Sequence, residues 1–280
     1  VEKLPRGIAL LRGGSLAGLL CGMVYSSSKW LRNLCIAQTM SELGTTVVVG
    51  VGKGLGASLC RRFAEAGHPI AMAARDAKRL APLVHEIENA GGSAMAFNVD
   101  ATEEEDVVRL FARVEADVGQ VEIAIFNVGA LRYQMSILDM PTEEFQNAWR
   151  TSCLGGMIVG REAARLMVPR SRGTIQFTGG LPSRRAGAKQ AAFAVGKFGL
   201  RAVAQSMARE LAPKGIHVSH FVIEGMINNQ RMRKLEPEKA AEEDGLVSTE
   251  ALADLYYQIH RQPKSSWTFE VDVRSWQDSF

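Results

Sequence analysis

The chain is poor in several features that mark well-known protein classes. Its four cysteines (Cys21, Cys35, Cys60 and Cys153) are widely spaced and form no C-x-x-C pair. That argues against a structural zinc or a disulfide scaffold, and for reduced thiols inside a cell or organelle. Net charge is small: 33 Lys and Arg against 30 Asp and Glu leave +3. Without a clustered basic face, this balance gives no reason to expect nucleic acid. There is no nucleophile elbow and no Ser/His/Asp set in context, so hydrolase chemistry has no support. The five histidines show no metal spacing. His217 and His220 stand three apart on one expected strand and so point to opposite faces. His68, His85 and His260 are scattered and are expected at the surface, so no metal is expected. Neither an internal repeat nor a second domain is visible. With 46% apolar and 22% charged residues, disorder and collagen-like repeats are also out.

One absence is local. From Lys3 to Ser41 there are five basic residues (Lys3, Arg6, Arg12, Lys29, Arg32) and no acid. An average stretch of that length would hold about four acids, and the acid-poor, Arg- and Ser-containing character suits an organellar transit segment. Residues 13–28 carry no charge, and Gly14, Gly18 and Gly22 recur every four residues. On a helix they would share one face and let two backbones approach closely in lipid. Residues 1–43 therefore read as an N-terminal arm with three open readings: a targeting remnant, a membrane or partner-docking helix, or a flexible Gly/Ser arm. The chain opens at Val1 rather than Met, so a leading segment either removed or not seen is expected. The expected location is an organelle, the mitochondrion first, or a membrane surface; the cytoplasm is the alternative.

What the rest of the chain has is alternation. Short apolar runs at 45–49, 70–74, 94–99, 121–126, 174–178 and 216–223 read as strands. Between them, 55–66, 76–89, 103–118, 142–167 and 189–211 read as helices. A charged, irregular stretch at 231–245 reads as part of a lid over 226–248. A helix at 249–261 and a strand at 268–273 close the chain, with Phe269, Val271 and Val273 on one buried face. This pattern predicts an α/β fold over 44–280, a doubly wound parallel sheet of Rossmann type in a single domain with an N-terminal arm.

The first chemical signal is Gly50-Val-Gly-Lys-Gly-Leu-Gly56, set between a strand and a helix. Gly50, Gly54 and Gly56, with Leu55 opening the helix, fit a tight turn that brings backbone N–H groups and a helix N-terminus to a pyrophosphate. The end of the second strand tells which dinucleotide. An NAD site usually has an acid there. Here Arg75 follows Ala73-Ala74, 25 residues after Gly50, and Lys53 adds a charge inside the turn. Both suit a 2′-phosphate, so NADP is expected, with NAD the alternative because Asp76 comes next.

From Thr45 onward the chain resembles the short-chain dehydrogenase/reductase family. The resemblance rests on the glycine turn, Asn98-Val99-Asp100, Asn127-Val128-Gly129, Phe193-x-x-x-Lys197 and Ile223-Glu224-Gly225. It implies that Asp100 contacts the adenine, with Val99 beside it, and that Asn127 to Gly129 steady the fourth strand and border the cofactor. It implies also that the loop from Gly225 through Ile227 to Asn228 flanks the nicotinamide. Glu224 stands where the family commonly has Pro. Helices 142–167 and 189–211 resemble the family's subunit-pairing helices, which implies a homodimer or larger assembly.

The catalytic set departs from the family, which uses Asn, Ser, Tyr and Lys. The Tyr slot holds Phe193, which cannot act as acid or base. Lys197 is kept, one helical turn later. Thirteen residues before Phe193 the Ser slot falls on Gly180, and the Asn slot falls on Ser152. Thr178, Ser183 and Tyr133 are the nearby hydroxyls that could stand in. Arg184, Arg185 and Lys189 read as a solvated loop or as a grip for an anionic substrate. Two functions stay open: an NADP-dependent oxidoreductase with an altered site, or an inactive structural or accessory subunit of a larger complex, including one at an organellar membrane.

Overall fold

The computed structural model describes residues 43–129 and 134–276. The arm's expected features and Tyr133 lie outside these residues. Seven parallel strands form one sheet: β1 (Thr45–Val49), β2 (Ile70–Ala74), β3 (Ala94–Asn98), β4 (Val121–Phe126), β5 (Gly173–Thr178), β6 (Ile216–Glu224) and β7 (Glu270–Arg274). Their spatial order is β3-β2-β1-β4-β5-β6-β7, the doubly wound order in which the chain reverses direction beside β1. Helices α1 (Leu55–Glu65), α2 (Ala81–Asn89), α3 (Glu104–Asp117), α4 (Thr142–Trp149), α5 (Gly155–Met167), α6 (Ala191–Leu211), α7 (Gln230–Leu235), α8 (Pro237–Ala241) and α9 (Thr249–His260) complete the described secondary structure, with short 3-10 turns between.

The continuous apolar runs arise because the sheet is covered on both faces. Val47, Val49, Phe126 and Phe177 join Val107, Ile158 and Leu200 of α3, α5 and α6 in one core layer. Val48, Ile70, Met72 and Ile125 join Phe63, Ile87 and Tyr256 of α1, α2 and α9 in the other. Among the described residues no helix is long and apolar enough to cross a membrane.

Four local expectations change. The helix expected over 142–167 is interrupted by a π turn at Arg150–Leu154. There α6 comes in close: a Cβ on Gly196 would lie 2.7 Å from the Ala148 carbonyl oxygen. The stretch 231–245 is irregular only in part, because α7 and α8 form in it and leave residues 242–245 outside regular structure. Asn229 caps α7 by accepting from the Arg231 and Met232 N–H groups, and Pro237 opens α8. Phe269 lies before β7 and packs into the α6 layer, whereas Val271 and Val273 pack into the α9 layer. His68 and His260 are not surface groups. His68 is buried with Nδ1 bonded to the Gly44 carbonyl, and Nδ1 of His260 bonds Thr174 Oγ1 at 2.9 Å.

These buried imidazoles make stability pH-dependent. Burial holds His220 and His260 at about 4, below the usual 6.5. Their folded pKa is depressed, so the unfolded chain binds protons first, and stability drains as pH falls from 6.5 toward 4. For the fully buried His220 that loss approaches about 3 kcal/mol. Glu270 is lowered to about 2 despite its burial, because Arg201 and Arg184 bind it, and it extends the loss below pH 4.5. A Tm that is level near neutrality and falls steadily below pH 6.5 is the expected melting profile; a Tm unchanged down to pH 4 would contradict it.

Candidate active site

The glycine turn sits at the C-terminal end of β1, where ligands bind in such sheets. Gly50 has φ +93, and a Cβ there would lie 2.8 Å from the Asn127 carbonyl carbon. Gly56 is also crowded, with a Cβ position 2.9 Å from Val51 Cα, whereas Gly54 meets nothing nearer than Asn229 Cβ at 3.4 Å. Gly50 and Gly56 thus shape the turn, and Gly54 and Gly52 leave its outer surface open. Leu55 anchors α1 in the core, and the helix opens without a side-chain cap, which leaves its first N–H groups to a ligand. Asn127 ties strand β4 to the turn: its N–H donates to the Val49 carbonyl and its Nδ2 to the Gly50 carbonyl.

A cleft of about 1090 Å³ runs from this turn along the ends of β2, β3 and β4 to α4. Lys53, Arg75, Asp100, Asn127 and Gly129 all border it. Lys53 and Arg75 are exposed, and among the described residues neither has a hydrogen-bond or ion-pair partner. Asp100 is partly committed: its Oδ1 accepts from the N–H and hydroxyl of Thr102. Arg79, which sequence reasoning missed, borders the same cleft beside Asp76. The glycine turn and an open cleft along the strand ends fit a dinucleotide, with Lys53 and Arg75 at the mouth.

The expected catalytic residues are placed differently. Lys197 is 4% exposed and does not border the cleft; its Nζ donates to the Thr178 carbonyl at 2.8 Å and to the Val128 carbonyl at 3.5 Å. Burial lowers its pKa to about 8. Phe193 lies one turn earlier on α6 and is half-buried. Ser152 is fully buried in the π turn, and its hydroxyl has no hydrogen-bond partner among the described residues. Gly180 is extended, with φ 171, and its N–H donates to Ser183 Oγ at 3.3 Å. Ser183 is itself fully buried.

Thr178 does not bring its hydroxyl to this group. Residues 174, 176 and 178 alternate onto the α9 face of β5, and Thr178 Oγ1 bonds the buried Tyr256 hydroxyl at 2.9 Å. Only its backbone carbonyl faces Lys197. Arg184 is exposed but not free for a substrate, since it pairs with Glu270 and Asp272 of β7. Glu270 also holds Arg201 of α6 and His220 of β6. Glu224 pairs with Arg274 at 3.0 Å, so the strand end that departs from the family pattern is fixed by the edge strand. Beyond it Gly225 has φ +130, and Ile227 forms a parallel bridge with Val247 that closes the base of the 226–248 segment. Gly225 and Ile227, like Gly180 and Phe193, do not border the cleft. Among the described residues no group of three His, Cys, Asp or Glu is placed to hold a metal.

This sheet order, with a glycine turn opening onto a cleft at the strand ends, defines a dinucleotide-binding domain of Rossmann type. Comparison with known proteins narrows the class. Residues 44–240 match the family model for short chain dehydrogenase. A solved short-chain dehydrogenase from Rhodopseudomonas palustris is 40% identical with a TM-score of 0.73, covering 83% of this chain and 99% of that one. The chain is 29% identical over 174 residues to (21S)-21-acetoxyl-apo-melianone synthase of Melia azedarach, spanning 62% of this chain and 63% of that protein. A metagenomic short-chain oxidoreductase solved with NADP shares the fold, with a TM-score of 0.72 at 22% identity over 84% of this chain and 98% of that one. The chain belongs to the short-chain dehydrogenase family, whose members are oxidoreductases that bind a nicotinamide dinucleotide.

Proposed function

We propose that the protein is an NADP(H)-dependent oxidoreductase whose proton donor is not the family's tyrosine. The observation that carries the choice of cofactor is the pair of exposed, unpartnered cations, Lys53 and Arg75, bordering the cleft at the glycine turn and at the end of β2. Arg75 offers a planar fork for a 2′-phosphate and Lys53 a point charge. Solution of a relative with NADP in this fold supports the same reading. When bound, the dinucleotide supplies the hydride. The chain's own residues hold it, and Lys197, pinned between two carbonyls, places a buried positive charge behind Thr178 and Val128.

A test separates cofactor choice from folding. Replacing both Lys53 and Arg75 by Ala is expected to weaken NADPH binding about 100-fold, taking roughly one tenfold step per charge-assisted contact, with little change for NADH. Equal loss for both dinucleotides would refute the 2′-phosphate role. A second reading, a domain that holds the dinucleotide as an accessory subunit without turnover, draws on Phe193, Gly180 and the unpartnered Ser152 hydroxyl.

A further inference from the structure

A second groove lies beside the first residues of β6, whereas the dinucleotide cleft lies at the strands' C-terminal ends, and the two share no residue. Unequal strands make it. β6 has nine residues and β7 five, and their pairing starts only at His220 and Glu270. Residues 216–219 therefore have no strand beside them on the β7 side. Backbone groups along β6 alternate between its neighbours: the Phe221 carbonyl accepts from the Gly179 N–H after β5, and the His220 N–H donates to the Phe269 carbonyl before β7. By that alternation Val218 turns its N–H and C=O to the β7 side, where neither meets a backbone partner among the described residues. An unpaired strand backbone favours a polar group beside it.

The walls of the groove are fixed. Gln262 latches the loop before β7: its Oε1 accepts from the Thr268 N–H, its Nε2 donates to Thr268 Oγ1, and its carbonyl accepts from the Trp267 indole N–H. The Trp267 ring stacks on the buried His217 ring, with planes 2° apart and centroids at 4.9 Å. His217 Nε2 in turn donates to the Thr268 carbonyl at 2.9 Å. Gln205 and Arg209, one turn apart on α6, border the opposite side. Among the described residues neither side chain has a hydrogen-bond or ion-pair partner. No acid borders the groove, so its one cation, Arg209, is left uncompensated. The volume, about 290 Å³, is at the small end for a ligand site.

We propose that this groove is a binding site for a small amphipathic carboxylate, separate from the dinucleotide cleft. Arg209 offers the carboxylate a planar fork, and Gln205 adds an amide donor. Trp267, Ala208 and Phe269 take the apolar body. The volume limits that body to a single ring or a short alkyl chain.

Benzoate and hexanoate are the probes, with benzyl alcohol and hexanol as neutral controls. The readout is the Trp267 indole N–H resonance in the full chain. The chain has four tryptophans, and Trp267→Phe assigns the resonance by its loss. Both acids are expected to shift it saturably, and the alcohols should bind at least about tenfold more weakly, the worth of one charge-assisted contact. Arg209→Ala should weaken the acids about tenfold, and raised salt should shrink that difference. Arg209 is exposed, so Tm should not move; Arg209→Gln gives the same reading should the alanine variant fold poorly. NADPH should not displace either acid. No saturable shift, equal binding of acids and alcohols, unchanged affinity in both Arg209 variants, or displacement by NADPH overturns the proposal. So does a Trp267 resonance that moves with protein concentration and not with acid, because the groove then belongs to a contact between two copies.

Discussion

Phe193→Tyr combined with Gly180→Ser is expected to raise NADPH-dependent reduction of an activated ketone by about 10²- to 10⁴-fold, the span that a placed general acid supplies. Position 193 is half-buried on α6, one turn before Lys197, so the new phenol joins an existing helix face. Lys197, with a pKa of about 8, is mostly cationic at neutral pH and would lower the phenol's pKa. Gly180 has room for the hydroxyl: its backbone is extended, and a Cβ would meet nothing nearer than the Ile223 carbonyl oxygen at 3.4 Å. Ser152 is the position that resists repair. It is fully buried against Gly196, where a Cβ on the glycine would already lie 3.0 Å from Ser152 Cβ. Steady-state NADPH oxidation with a panel of activated ketones measures the effect. A double variant that still binds NADPH but gains no rate would place the defect at Ser152 or in the burial of Lys197.

Gly50→Ala should lose cofactor binding and stability together. The residue needs φ +93, which costs an alanine about 1–2 kcal/mol, and its Cβ would press on the Asn127 backbone at 2.8 Å. Relief would pull Asn127 from the Val49 and Gly50 carbonyls, and we expect a total loss of about 3 kcal/mol, in the range of overpacked sites. Gly52→Ala is the control. Nothing lies within 4 Å of its Cβ position, so the variant should fold normally, yet the methyl faces the cleft and should still weaken NADPH. Thermal melts and NADPH titration of both variants decide. Equal melting temperatures would remove the structural role assigned to Gly50.

Much of this was open to reading along the chain. The strand runs are apolar because both faces of the sheet are covered, and the glycine turn falls between the first strand and helix as its pattern requires. Asn127 and Gly129 border the cleft with Lys53 and Arg75. What stayed hidden depends on which face a residue takes once helices are docked. Thr178 alternates with Phe177, but only the packed structure shows that its hydroxyl turns to Tyr256 on α9 rather than to Lys197 on α6. Arg184 looked like a free loop cation because its partners, Glu270 and Asp272, lie more than 80 residues away. The π turn has no signal in the apolar periodicity of 142–167, which continues through it. Arg79 was legible only in part: its charge is plain, but the cleft it borders is made by four other segments.

The most direct test of the account is an equilibrium titration of the purified protein with NADPH, followed by nucleotide fluorescence, with NADH as competitor. Saturable NADPH binding that NADH displaces only at much higher concentration is the result expected from Lys53 and Arg75 beside the glycine turn. Binding of neither dinucleotide, or equal binding of both, would contradict it.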